Sequence, residues 1–355
     1  MKRSNLVSIT QAALAALLFG ASTPLAKLLL GEVDPVLLAA LLYLGSGISL
    51  AVIKLIQRTR SQPGSPEAPL IRQDVPWLLG AIFFGGIAAP ITLLFSLKST
   101  PAATSSLLLN FEGVATTLIA ALIFKEAVSR RAWVAVGLIT LAGILLSLNP
   151  GAGWGFSPGA LGIVIACGFW GLDNNFTRNI SAKDPLTIVA IKGMAAGSFS
   201  LVLALLLKNP VPGAGVILGA MVLGSLSYGA SIVLFILAMR GMGAARTSAL
   251  FGMAPLAGMI LSLVIFRGSI QWILFLAAPL MAAGALLFIG EEHQHEHRHA
   301  ETSHEHAHTH PDEHHDHAHD GFTGRHSHPH DHPEVVHNHH HMPDIHHRHT
   351  HPQGS

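Results

Sequence analysis

The sequence predicts an all-α membrane protein: ten transmembrane helices arranged as two inverted five-helix repeats, followed by a disordered C-terminal tail. Three observations predict it: the composition, the spacing of the apolar runs, and a match between the two halves of the chain. Half of the 355 residues are hydrophobic and only 12% are charged, about half the charged share of a soluble domain. The chain divides sharply at Gly290, because all 24 histidines lie beyond it. Before that point there are 18 Lys and Arg against 8 Asp and Glu, and after it 3 against 12, so the overall charge of +1 is a cancellation.

Apolar runs bounded by Gly, Pro and charge clusters place spans near residues 7–30, 35–53, 76–97, 101–124, 132–149, 158–177, 186–207, 214–238, 244–266 and 270–290. Runs of this length reach across a bilayer, where about 20 residues are needed. Their backbone amides have no water to bond with, so each run must be helical; a transmembrane barrel would show alternating segments of about ten residues instead. Lys2 and Arg3 ahead of an apolar run resemble a secretory leader, but the run continues to Leu30, which suits a first transmembrane helix better. Short cytoplasmic loops retain Lys and Arg. With the N-terminus inside, thirteen cations, among them Lys54, Arg72 and Lys183, fall on the inner side and four on the outer, namely Lys27, Lys98, Lys208 and Arg267. The expected location is the plasma (inner) membrane, with both termini cytoplasmic. The single cysteine, Cys167, excludes an intramolecular disulfide.

The two halves match in polar and turn residues as well as apolar ones. Phe19-Gly20-Ala21-Ser22 through Lys27, then Asp34-Pro35, corresponds to Trp170-Gly171-Leu172-Asp173 through Arg178, then Asp184-Pro185. Pro101-Ala102-Ala103-Thr104-Ser105-Ser106 through Lys125 corresponds to Gly243-Ala244-Ala245-Arg246-Thr247-Ser248 through Arg267. This divides the chain into repeats at 1–150 and 151–290 and a tail at 291–355. Five spans per repeat is an odd number, so the second repeat enters the membrane upside down. Rocking one such half against the other opens a midplane site to each side in turn.

On the stretch from Phe95 to Leu148 and its echo from Leu234 to Phe266, with Phe124, Lys125 and Glu126 closing the fourth span, residues 6 to 290 resemble the drug/metabolite transporter superfamily, EamA type. The resemblance implies a ten-helix permease that moves small solutes without a cofactor. Two positions depart from it: Glu112-Gly113 stands where the family often has Glu-Pro, and Gly268 stands where the first repeat has Glu126.

A charge at the bilayer midplane costs about 2.5–3.5 kcal/mol on insertion scales, so charges kept there are paired or functional. Glu112 lies near the centre of the fourth span beside Asn110, too far from either end for its short side chain to reach the interface. It is the first candidate for a transport or coupling group, and a structural hydrogen-bonded carboxyl is the alternative. Asp173 and Lys192 lie about five and six residues from the same end of the sixth and seventh spans, roughly 7–9 Å deep, and are expected to pair as structural glue or as an inner gate. Asn110 and Asn174 are candidate pathway residues, and for Asn174 a buried amide satisfied by a neighbouring helix is the alternative. Glu126 and Arg130 are one turn apart, a spacing that suits a salt bridge. The dense glycines suit close helix packing, and Pro24, Pro90, Pro255 and Pro279 interrupt spans.

The tail is rich in His-X-His spacing and poor in apolar residues, so it has no means of burying a core. His293, His295, His297, His299, His304, His306, His308, His310, His314, His315, His317 and His319 are candidate metal ligands, because neutral imidazole is the commonest such ligand. With no thiolate beside them they favour Zn, Ni, Co or Cu(II) over Cu(I). Expected partners are the lipid bilayer, a small-molecule substrate and divalent metal ions, with a second copy of the chain as a further candidate and no nucleic acid. The leading function is secondary transport of a small organic solute, with proton coupling open. A divalent-metal exporter is the runner-up, opposed by the absence of histidine from the spans. An enzyme is disfavoured because no catalytic constellation or nucleotide-binding motif is present.

The cation bias predicts that reporter fusions at Ser355 and in the loop from Lys208 to Gly215 report opposite sides of the membrane. Identical reports would remove the orientation.

Overall fold

The computed structural model describes residues 3–60, 68–124, 130–147, 157–180, 183–242, 251–267, 272–289, 293–299, 302–308, 326–332 and 335–341. Among them are ten helical runs: α1 Leu6–Leu29, α2 Pro35–Arg60, α3 Arg72–Ser99, α4 Ala102–Leu122, α5 Arg130–Ser147, α6 Pro158–Asn179, α7 Pro185–Leu206, α8 Ala214–Ala238, α9 Ala254–Phe266 and α10 Ile273–Ile289. Six of them, α1 to α4, α7 and α8, are long and apolar enough to cross a membrane, and α5, α9 and α10 contain shorter apolar helices. The remaining helix, α6, is 22 residues long and carries Asp173, Asn174, Asn175 and Arg178 in its second half.

Local chemistry sets several starts. Proline opens α2, α6 and α7, where its missing N–H costs nothing. The Ser157 hydroxyl accepts from the Ala160 N–H, and Asp184 Oδ1 accepts from the Leu186 N–H at 3.0 Å. Leu14, Leu55, Leu79, Val264 and Phe275 point outward and exposed, as suits a hydrocarbon solvent, while alanine, glycine and serine fill the interior.

Contacts between the halves repeat under exchange of each helix for the one five places on. α1 packs on α8 as α6 packs on α3; α1 meets α9 as α6 meets α4; α2 meets α8 as α7 meets α3. The pairs α2–α7, α4–α9 and α5–α10 map onto themselves. That is the contact pattern of an inverted duplication.

The α2–α7 seam lies at the centre of this arrangement. A β-carbon on Gly193 would sit 2.8 Å from the Gly47 Cα, one on Gly47 would sit 2.5 Å from the Met194 nitrogen, and one on Gly197 would sit 2.7 Å from the Leu44 nitrogen. On the other side of α2, β-carbons on Gly45 and Gly224 would lie 2.2 Å from the Met221 oxygen and 2.0 Å from the Leu42 oxygen. The backbones touch because the side chains are absent.

Two interruptions shape the interior. α3 widens into a π-helical turn at Ile82–Ala88, and α8 does so at Ser225–Ala230, the third span of each repeat. α4 breaks at Leu109 and Asn110, and a matching turn at Gly252 and Met253 precedes α9. At the α4 break the Glu112 N–H bonds the Leu109 carbonyl, three residues back. The Leu108 carbonyl, its usual partner in an α-helix, lies 3.6 Å from the Cys167 thiol of α6.

At one end of the bundle, Lys54 of α2 pairs with Asp184, the N-cap of α7, and also meets Thr187. The Asp184 N–H bonds the Ala68 carbonyl at 3.1 Å, and Lys183 lies 3.9 Å from Asp74. Burial pushes the Asp184 carboxyl up, but Lys54, Thr187 and the Leu186 N–H outweigh it and hold it below the ordinary carboxylate value. At the opposite end, Lys98 lies 3.8 Å from Asp34, and Lys27 turns inward to donate to the Leu97 carbonyl at 2.6 Å and to Thr100. Lys27 therefore caps the C-terminal end of α3, a favourable place for a cation.

Within the tail, His293–His299 pairs with Val335–His341 and Thr302–His308 with His326–His332, both antiparallel. The register sets histidine opposite histidine at alternate positions, as in His295 with His339 and His306 with His328. His310, His314, His315, His317, His319 and the Glu126 side of the expected Glu126–Arg130 bridge lie outside the described residues.

Gly193→Leu is expected to destabilise the bundle by at least the cost of overpacking, about 1–3 kcal/mol, because backbone occupies the space. Gly137 serves as the control, since a β-carbon there would meet nothing within 4 Å, and Gly137→Ala should leave thermal unfolding in detergent unchanged. Equal stability of Gly193→Leu and wild type would refute the seam.

Candidate functional site

Where α4 breaks, the chain places Glu112 facing α6. Glu112 Oε1 accepts from Asn174 Nδ2 at 2.9 Å, and the same amide lies 3.1 Å from Thr116 Oγ1. Asn175 donates to the Thr116 carbonyl at 3.2 Å and to the Gly171 carbonyl at 2.8 Å. Two successive asparagines thus fasten α6 to α4. The approach is close because Gly171 has no side chain: a β-carbon there would lie 2.9 Å from the Ala115 carbonyl carbon. Glu112 and Asn174 are half-buried, while Asp173 and Asn175 are buried.

Beside this contact, Lys192 of α7 forms an ion pair with Asp173, whose other oxygen accepts from the Thr177 hydroxyl at 3.0 Å. Asp173 fits only because α3 presents Gly85 in its π-helical turn, where a β-carbon would fall 1.9 Å from Asp173 Oδ2. The Gly85 carbonyl accepts two bonds, from the Tyr43 hydroxyl at 2.7 Å and the Trp170 indole at 3.1 Å. A π-turn leaves carbonyls off the regular ladder, and here side chains of α2 and α6 take one up.

Of the five residues singled out from the sequence, four come together: Glu112 with Asn174, and Asp173 with Lys192 alongside. Asn110 turns elsewhere, donating to the Leu107 carbonyl at 3.2 Å and lying 3.8 Å from the Met281 sulfur of α10. The side chains of the tail histidines lie outside what is described, and the described residues hold no group of three His, Cys, Asp or Glu placed for a metal ion.

Sequence reasoning missed the aromatic wall. The chain has two tyrosines, Tyr43 on α2 and Tyr228 in the π-turn of α8, and their rings lie 5.7 Å apart. Phe19 lies 6.0 Å from Tyr228 and 5.2 Å from Phe251. Tyr43 reaches the site through the Gly85 carbonyl, which belongs to the residue packed against Asp173. A usable signal was present: each tyrosine is a rare polar aromatic placed well inside an apolar run.

The site occupies one of two equivalent crossings. Under the repeat, Glu112 corresponds to Ala254, Asp173 to Ser22 and Asn174 to Thr23. At the second crossing a β-carbon on Gly20 would lie 2.3 Å from the Ala254 oxygen. Among the described residues, these positions are charged or polar at the first crossing and carry no charge at its twin.

Comparison with known proteins places this geometry. The EamA-like transporter family matches the chain twice, at residues 6–148 and 157–290, the two halves related above. A protein of Methanothermobacter thermautotrophicus (strain Delta H), described as an uncharacterized transporter, is 28% identical over 292 residues, covering 77% of this chain and 83% of its own. A solved crystal structure shares the fold with a TM-score of 0.56 at 22% identity, over 80% of this chain and 94% of that one.

Asp173→Asn should destabilise the fold by about 3–5 kcal/mol, because it leaves the Lys192 charge in the interior without its partner. Lys192→Met added to it should recover most of that loss. Detergent thermal unfolding of the two singles and the double measures the coupling, and additive losses would mean that the pair is not a unit.

Proposed function

The chain belongs to the EamA-like transporter family, and from that premise we propose that its helical body carries a small organic solute across the plasma membrane by alternating access, with both termini in the cytoplasm. One observation supports the site above all: a carboxyl in mid-span, at a break in its own helix, bonded to a neutral amide of the other repeat. Broken helices at the repeat interface are where such transporters hold their solutes. Asn174 and Thr116 position the carboxyl. Asp173 and Lys192 neutralise each other beside it and tie α6 to α7, so that the helix carrying Asn174 moves with the second repeat.

We infer a coupling role for Glu112. A midplane carboxylate is costly unless it is compensated, so a proton or a solute must accompany each passage between the two open states. The tail is proposed as a separate metal store, its histidines binding Zn, Ni or Co at the cytoplasmic face. The alternating histidines are the supporting observation.

Glu112→Gln retains size and hydrogen bonding to Asn174 but removes the charge. Purified variant in proteoliposomes should insert and unfold as wild type, yet lose at least tenfold in solute exchange and all dependence on an imposed pH gradient. A chain truncated after Gly290 should exchange solute normally and lose zinc binding in calorimetric titration. Full pH-driven exchange by Glu112→Gln would make the residue structural, and unaltered zinc binding after truncation would remove the tail's role.

A further inference from the structure

We propose that the site at Glu112 selects an organic cation, a protonated or quaternary amine on an aromatic or apolar body. This rests on the transport reading above and names the substrate class. The first support is a charge count. Among the described residues, the ionisable side chains gathered around Glu112 are Asp173 and its partner Lys192, Tyr43 against the Gly85 carbonyl, Tyr228 beside Tyr43, and Cys167 at the α4 break. Lys192 is taken by Asp173, and the second Asp173 oxygen is taken by Thr177. The tyrosines and the cysteine carry no positive charge in any state. Among the described residues the site therefore holds one carboxylate more than its cations whenever Glu112 is ionised. Its sole hydrogen-bond donor among the described residues, Asn174, is neutral, and an interior charge without a counterion is costly.

The second support is access. Asp173 is buried, whereas Glu112, Asn174 and Tyr228 are half-buried. The uncompensated carboxylate is thus the one a visitor can reach, and the compensated one is the one it cannot. The third is the wall. Tyr43 spends its hydroxyl on the Gly85 carbonyl, so what it offers the site is ring surface. With Tyr228 tilted beside it at 5.7 Å and Phe19 edge-on to Tyr228 at 6.0 Å, the aromatic surface offers ring faces of the kind that attract ammonium groups. An anion would meet a carboxylate and negative ring faces together. A divalent metal would find one available carboxylate and, among the described residues, no cluster to complete its coordination.

A consequence for exchange follows. Cation and proton compensate the same carboxylate, so each excludes the other, and inward movement of one returns the other outward.

The test is equilibrium binding and proteoliposome exchange of radiolabelled benzyltrimethylammonium. Neopentylbenzene, phenylalanine and phenylacetate serve as the neutral, zwitterionic and anionic competitors. Saturable binding of the cation by wild type is expected, with the neutral isostere at least tenfold weaker. Glu112→Gln should lose at least tenfold, Glu112→Asp should retain most of the binding by keeping the charge, and Tyr228→Leu should lose several-fold. Loss in Gln and Asp alike would overturn the charge argument, as would equal affinity for the neutral isostere. Exchange of phenylalanine or phenylacetate without exchange of the cation would overturn the substrate class and leave the transport reading standing. No exchange of any of the four solutes above protein-free liposomes would overturn both.

Discussion

The close approach of α2 and α7 is the constraint on which the rest of the structure depends. Hydrocarbon gives helices no hydrophobic reason to associate, so they hold by contact between surfaces that fit. Gly47 and Gly193 bring the two backbones together at the centre of the inverted pair. Tyr43 lies one turn from Gly47 and Lys192 beside Gly193, and both are delivered to the site by that seam. The two end latches, Lys54 with Asp184 and Lys98 with Asp34, lie beyond it on either side. Because Asp184 caps α7 while Lys54 ends α2, the first latch joins the repeats, whereas the second joins two helices of one repeat. Among the described residues, the ends of the bundle are therefore held differently, one ion pair joining the repeats and the other lying within one repeat.

Polar chemistry in the interior is gathered where the helices depart from regularity. A continuous α-helix consumes its own carbonyls and offers neighbours only side chains. The π-turn of α3 presents the Gly85 carbonyl to Tyr43 and Trp170, and the break in α4 leaves the Leu108 carbonyl beside Cys167. Both irregularities fall around Glu112 and Asp173. The energetic cost of interrupting a span is offset by side chains from other helices, so each break also serves as an inter-helix tie.

Duplication supplied two equivalent crossings, and only one became charged. At the α1–α9 crossing Ala254 and Gly20 pack backbone to backbone; at the α6–α4 crossing Gly171 packs on the Ala115 backbone in the same way, and Glu112, Asn174 and Thr116 add hydrogen bonds to that packing. Van der Waals contact between small residues is rigid and indifferent to charge. A hydrogen-bonded carboxyl responds to whatever neutralises it. The asymmetry gives a nearly symmetric scaffold a hydrogen-bonded carboxyl at one crossing where the other has an alanine.

By itself the sequence determined the class of the protein, the number and order of its spans, the inverted duplication and the residues that had to be paired. These follow from properties that each residue carries locally: an apolar run of bilayer length must be a helix, and a charge in its middle must find a partner. Hence Asp173 and Lys192 were legible as a pair, and Glu112 as a group facing the interior. Tertiary structure decided what depends on distances between helices: that Asn174 and not Asn110 meets Glu112, that Gly85 makes room for Asp173, that Lys27 caps α3, and that the two tyrosines share one wall. No periodicity within a single span records which neighbour it will face, because that choice is made by the fit of small residues across the seams, and fit is a property of two surfaces together.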